Sequence, residues 1–95
     1  VSANKAFLGC SGITAEVGMT TAVLAEVAIN ELMFQQCTGL RFVLAESTKI
    51  GHNHSFVSSA ISQVDFLITD NGANPEATQK LRDKGVKIVQ VVPET

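Results

Sequence analysis

The chain has 95 residues, 7 Lys and Arg against 9 Asp and Glu, and a formal charge of −2, which leaves room for one small domain with a modest core. With 45% hydrophobic and 17% charged residues, disorder is excluded, and a pI of about 5.5 argues against a duplex-binding surface of its own. Two cysteines, Cys10 and Cys37, are too few for a disulfide scaffold and suit a reducing, cytoplasmic setting. No apolar run approaches the ~18–20 residues of a membrane span, so the expected partners do not include a membrane.

In chain order, the apolar run 6–9 predicts a strand and residues 10–19 a loop with two glycines. Residues 22–36 hold no Gly or Pro and are rich in Ala, Leu, Glu and Met, which predicts a helix that Thr20 or Thr21 can cap. Its polar positions fall on opposite sides, Glu26 and Asn30 against Glu31 and Gln35, so the helix is expected to be enclosed on more than one side. A second strand is expected over 40–45, a polar loop over 46–55 and a short helix over 57–62. A third strand follows over 64–69. Asn74 as cap, Pro75 at the first helical position, Glu76 in the first turn, Lys80, Arg82 and Lys84 in later turns and Gly85 as a stop then mark a helix. The run 86–92 is the last strand.

Several of these strands are apolar on successive residues, the pattern of strands buried on both faces of a parallel sheet. The fold class is therefore α/β, a Rossmann-like, mainly parallel sheet with flanking helices. Ligands of such sheets bind outside the carboxyl ends of the strands. Cys10-Ser11-Gly12, Glu46-Ser47-Thr48-Lys49 and Asp70-Asn71-Gly72 are expected to converge there. Hydroxyls, glycine amides and one lysine suit a phosphate, while Glu46 and Asp70 suit sugar hydroxyls. Glu26 is either a group in this cleft or an exposed first-turn carboxylate favoured by the helix dipole. His52 and His54 lack a further ligand at metal-site spacing and are placed on the surface. Cys10 has no general base beside it and is taken as a packing residue. No cofactor, metal or catalytic residue is expected.

Four blocks in order resemble a known family: Ala6-Phe7-Leu8-Gly9-Cys10-Ser11-Gly12-Ile13; Gly18-Met19-Thr20-Thr21 with Glu26; Val43-Leu44-Ala45-Glu46-Ser47-Thr48-Lys49-Ile50-Gly51; and Asp65-Phe66-Leu67-Ile68-Thr69-Asp70. They are similar to the C-terminal sensor domain of DeoR-family transcriptional repressors. That resemblance implies a fold like that of ribose-5-phosphate isomerase and the CoA transferases, and a domain that senses a phosphorylated sugar and releases operator DNA. It places Gly9, Ser11, Gly12, Thr20, Glu26, Glu46, Ser47, Lys49 and Asp70 on the effector side, with Lys49 acting on phosphate or a sugar oxygen and Asp70 on a hydroxyl or on loop position. Glu46 stands where the family usually carries Asp.

The chain begins at Val1 without an initiator Met, and the resemblance implies a winged helix-turn-helix and an earlier sensor segment upstream. All 95 residues are then the later part of the sensor, and DNA is a partner only through the missing domain. A sheet edge left unpaired by the missing strands implies a homo-oligomer. The competing reading on the same fold is a sugar-phosphate isomerase, with Glu26, Glu46 or Asp70 as base.

Overall fold

The computed structural model describes residues 3–92; residues 1–2 and 93–95, which the single-domain assignment includes, lie outside the described residues. The elements run β1 (Ala3–Gly9), β2 (Gly12–Thr14), β3 (Gly18–Thr21), α1 (Leu24–Gln35), β4 (Cys37–Leu44), β5 (Phe56–Ser59), β6 (Phe66–Asp70), α2 (Pro75–Asp83) and β7 (Lys87–Val91), with single 3-10 turns at Ser47–Lys49 and Ile61–Gln63. The chain is α/β: β1, β4, β6 and β7 form a parallel sheet in the order β1-β4-β6-β7. Gly9 lies beside Leu44 and Leu44 beside Ile68, so three strands end level with one another and deliver their loops to one edge.

Helix α2 forms as its sequence predicts. The Asn74 Oδ1 accepts from the Glu76 and Ala77 N–H groups at 2.8 and 3.2 Å, Pro75 occupies the first turn, and Gly85 takes the left-handed conformation (φ 94°) that ends the helix. Helix α1 is closed differently. The Thr21 hydroxyl accepts from the Val23 N–H and donates to Glu26, while Arg41 on β4 reaches back to donate to the Phe34 carbonyl at 3.1–3.2 Å. A guanidinium at the carboxyl end of a helix satisfies an orphan carbonyl and complements the dipole.

Four expectations are corrected. The loop expected over 10–19 contains β2 and the start of β3, an antiparallel hairpin that joins β5 in a second, three-stranded sheet, β2-β3-β5. The helix expected over 57–62 is instead β5 followed by the Ile61–Gln63 turn; a β-branched Val57 and adjacent serines favour a strand once Thr20 and Thr21 are there to pair with. The enclosure expected of the first helix is the third. Of α1, Asn30 and Phe34 alone are fully buried, because one side of it packs on the domain and the other faces outward.

The fourth concerns the parallel sheet. Leu8, Val43 and Leu67 on one face are buried with Ile13, Met19, Phe34 and Leu81 in the core. The opposite face is open: Phe7, Phe42 and Phe66 stack across it at 4.7 and 4.8 Å, and the Lys87 ammonium lies 5.3 Å from the Phe66 ring centre. Phe7 is 53% exposed, and Leu40, Leu44, Val89 and Val91 are also exposed. The cause is topological. Strand order advances in one direction, and right-handed crossovers taken in one direction all return over the same face.

Candidate functional site

The level strand ends bring two groups of predicted residues to one edge. At the end of β1, Gly9, Cys10 and Ser11 line a cleft of about 390 Å³ with Glu26 and Asn30 of α1. Glu26 and Asn30 are four residues apart, so both lie on the same side of the helix. Glu26 is exposed and its Oε2 accepts from the Thr21 hydroxyl at 2.7 Å, which fixes the carboxylate without using up its second oxygen. Both readings of Glu26 therefore describe it: an exposed first-turn acid that also lines the cleft.

At the ends of β4 and β6, Asp70 clamps the loop between them. Its Oδ2 accepts from the Ser47 N–H at 3.0 Å and its Oδ1 from the Gly72 N–H at 2.8 Å. These two N–H groups, first Ser47 and then Gly72, followed by the Ser47 hydroxyl, hold the Asp70 carboxyl below the usual carboxylate range. The clamp sets the position of the Ser47–Lys49 turn. Glu46 is exposed beside it and shares a shallow cavity of about 320 Å³ with Asp70 and Thr69.

Lys49 is half-buried, and its N–H donates to the Glu46 carbonyl. Its ammonium reaches the β1 end electrostatically. Burial pushes the Cys10 thiol up to about 11, opposed by the Gly12 N–H and by the Lys49 charge. A thiol held so high is protonated at neutral pH and is not a nucleophile. The Lys49 charge is thus felt at Cys10, on the lining of the Gly9–Ser11 cleft, although Lys49 does not itself line it.

The two remaining predicted residues serve the frame around the cleft. Thr20 is fully buried, and its Oγ1 accepts from the His54 N–H at 2.9 Å. Gly12 is buried where a Cβ would collide with the His52 carbonyl and the Thr20 hydroxyl. Both pin the loop over 52–54 to the β2-β3 hairpin. His52 and His54 are exposed, and among the described residues no three His, Cys, Asp or Glu side chains gather as metal ligands.

The structure adds residues that the sequence did not single out. Ser47 and Thr48 also line a larger cavity of about 500 Å³, together with Thr14, His52, Asn74 and Lys80. Lys80 there faces Glu16 at 3.8 Å in an exposed pair of small energetic weight. Thr69 is buried, and its Oγ1 is the one buried side-chain oxygen or nitrogen among the described residues that lacks a hydrogen-bond partner. The helical spacing to Glu26 was a signal for Asn30. Nothing in the sequence signals Lys80 or Thr14, which depend on the second sheet and on how α2 docks.

The chemistry available at this edge is the Lys49 ammonium, several hydroxyls and the carboxylates of Glu26, Glu46 and Asp70, of which Asp70 is committed to backbone amides and Glu26 retains acceptor capacity. A family model described as the DeoR C-terminal sensor domain matches residues 1–71. Similar proteins include the regulators named HTH-type transcriptional regulator UlaR from Shigella dysenteriae serotype 1 (strain Sd197), Escherichia coli (strain K12 / DH10B) and Shigella boydii serotype 18 (strain CDC 3083-94 / BS512), each 36% identical over 85 residues. The match covers 90% of this chain and 33% of each regulator, so the chain spans about a third of the length of these relatives.

Proposed function

This chain belongs to the DeoR C-terminal sensor-domain family, and from that premise we propose that it is the part of a cytoplasmic transcriptional regulator that binds a phosphorylated sugar. Binding shifts a two-state equilibrium and alters operator affinity of a helix-turn-helix domain carried by the same regulator. The observation that supports this reading most is the β1-end cleft, where Gly9, Ser11, Glu26 and Asn30 face one space and the Lys49 charge reaches Cys10. Lys49 and the Ser11 hydroxyl receive the phosphate, and Glu26 and Asn30 receive sugar hydroxyls. Asp70 and Ser47 act by holding the turn that presents Lys49.

The names of the relatives speak for regulation rather than sugar-phosphate isomerisation. At Asp70 the site supports the same choice, since that carboxylate is tied to two backbone amides. Calorimetric titration with a panel of sugar phosphates and the matched phosphate-free sugars tests the proposal. Saturable binding of phosphorylated members alone is expected. Equal binding of the phosphate-free sugars would remove the role given to Lys49, and turnover of any sugar phosphate would favour the isomerase reading.

A further inference from the structure

Two polar side chains of α1 meet the β1-end cleft in opposite states. Asn30 is only 8% exposed, yet its side chain makes no hydrogen bond among the described residues, and neither of its amide atoms is fully enclosed. The residue is packed in while its amide opens on the space that it lines, which is the cleft. An amide offers a carbonyl acceptor and an N–H donor, and here both are unengaged. Glu26, one turn earlier, is the reverse. It is exposed, but its Oε2 is taken by the Thr21 hydroxyl at 2.7 Å.

Thr21 is 1% exposed and ends β3, where it pairs with Phe56 of β5, so the small sheet fixes its backbone. A hydroxyl has one proton to give. The Val23 N–H donates to the Thr21 Oγ1 at 3.1 Å, and the hydroxyl proton goes to Glu26. Glu26 is the third residue of α1 after the N-cap Val23, the position from which a glutamate ordinarily reaches back to the N-cap N–H. Here the Thr21 hydroxyl stands between the two groups, accepting from one and donating to the other. A short hydroxyl-to-carboxylate bond is charge-assisted. Anchored in a buried side chain, it holds the carboxylate in place and leaves Oε1 without a partner among the described residues.

We propose that Thr21 is the positioning residue of the cleft, and that through Glu26 and with Asn30 it makes the cleft select a sugar by two of its hydroxyls. One hydroxyl donates to Glu26 Oε1 and the other bonds the Asn30 amide. This deepens the sugar-phosphate reading and rests on it. Side chains four apart on a helix start about 5–6 Å from each other, a separation that neighbouring hydroxyls of one sugar can bridge. An ionised carboxylate only accepts, so a phosphate oxygen is refused at Glu26 and left to the Lys49 side. Preference for a sugar phosphate over bare phosphate is therefore set by Thr21, Glu26 and Asn30.

Calorimetric titration of the chain and its variants with pentose 5-phosphates, hexose 6-phosphates and inorganic phosphate tests this inference. Thr21→Val keeps the shape and removes the hydroxyl, and should weaken the tightest-binding sugar phosphate by at least roughly tenfold while leaving the affinity for inorganic phosphate unchanged. Thr21→Ser, which restores the hydroxyl, should recover sugar-phosphate binding. In a Glu26→Ala background Thr21→Val should add little, because residues that act through one group are not additive. Circular dichroism reports the fold, and if the valine variant does not fold, Thr21→Cys, whose thiol is a weak donor, takes its place. An equal loss for inorganic phosphate, a loss undiminished in the Glu26→Ala background, or full sugar-phosphate binding by Thr21→Val would overturn the role of Thr21 and leave the sugar-phosphate reading standing. Failure of the unaltered chain to bind any of the sugar phosphates would remove that reading and this inference with it.

Discussion

The two helices of this domain are stabilised in opposite ways. Helix α2 carries its own ends in its sequence: the Asn74 cap, Pro75, the first-turn Glu76, Lys80 and Arg82 in the last turn, and Gly85. It buries Thr78 and Leu81 and turns its charges outward. Helix α1 has Val23 at its N-cap without a side-chain bond from that residue, and borrows Thr21 at one end and Arg41 at the other. Its outer side is apolar. A helix whose ends and faces are completed by neighbours responds to what those neighbours do, and α1 is the helix that brings Glu26 and Asn30 to the cleft. Helix α2 is self-contained; on the proposed reading, α1 is the helix on which a bound ligand acts.

Substitutions sharpen this contrast by size. The largest losses are expected in the core beneath each helix, where the two are alike. Phe34→Ala should cost about 3–5 kcal/mol and Leu81→Ala about 2–5 kcal/mol, since both residues are essentially inaccessible. Asn74→Ala should cost about 1 kcal/mol. Denaturant midpoints measured at unchanged slope give these values, and a cap loss as large as a core loss would break the account of α2 as self-sufficient. A smaller effect is expected at the Asp70 clamp that leads into α2. The folded carboxyl titrates below its ordinary 3.8, so its stabilisation is fully present above that value and is lost as pH falls through the folded value. Melting temperatures of the protein and of Asp70→Asn should therefore differ at neutral pH and converge in acid below 3.8; a constant gap across that range would mean that the charge of Asp70 is not what holds the turn.

What was legible in the sequence follows the same division. Where the signals were local, as in the cap, proline and stop of α2 or the apolar runs of the parallel strands, structure and expectation agree to within a few residues. The second sheet was not legible, because Gly12–Thr14 and Gly18–Thr21 are short segments whose strand character comes from pairing with each other and with Phe56–Ser59. The apolar runs suggested cover on both sheet faces, and the composition of α1 suggested enclosure. Each identifies a surface suited to burial, but neither contains the partner that buries it. At the site, the meeting of the strand-end loops was readable from topology. The division of labour was readable in part: loop position was one of two roles the resemblance implied for Asp70, whose oxygens go to the Ser47 and Gly72 amides, whereas nothing signalled that Thr20 spends its hydroxyl on the His54 N–H.

The claim that Lys49 reads the phosphate is tested most directly by operator release. In the regulator that carries this domain, Lys49→Ala should bind operator DNA as the unaltered protein does and fail to release it when the sugar phosphate is added. Release at unchanged effector concentration would contradict the account, and loss of operator binding in a folded variant would show that Lys49 serves the structure of the domain instead of its ligand.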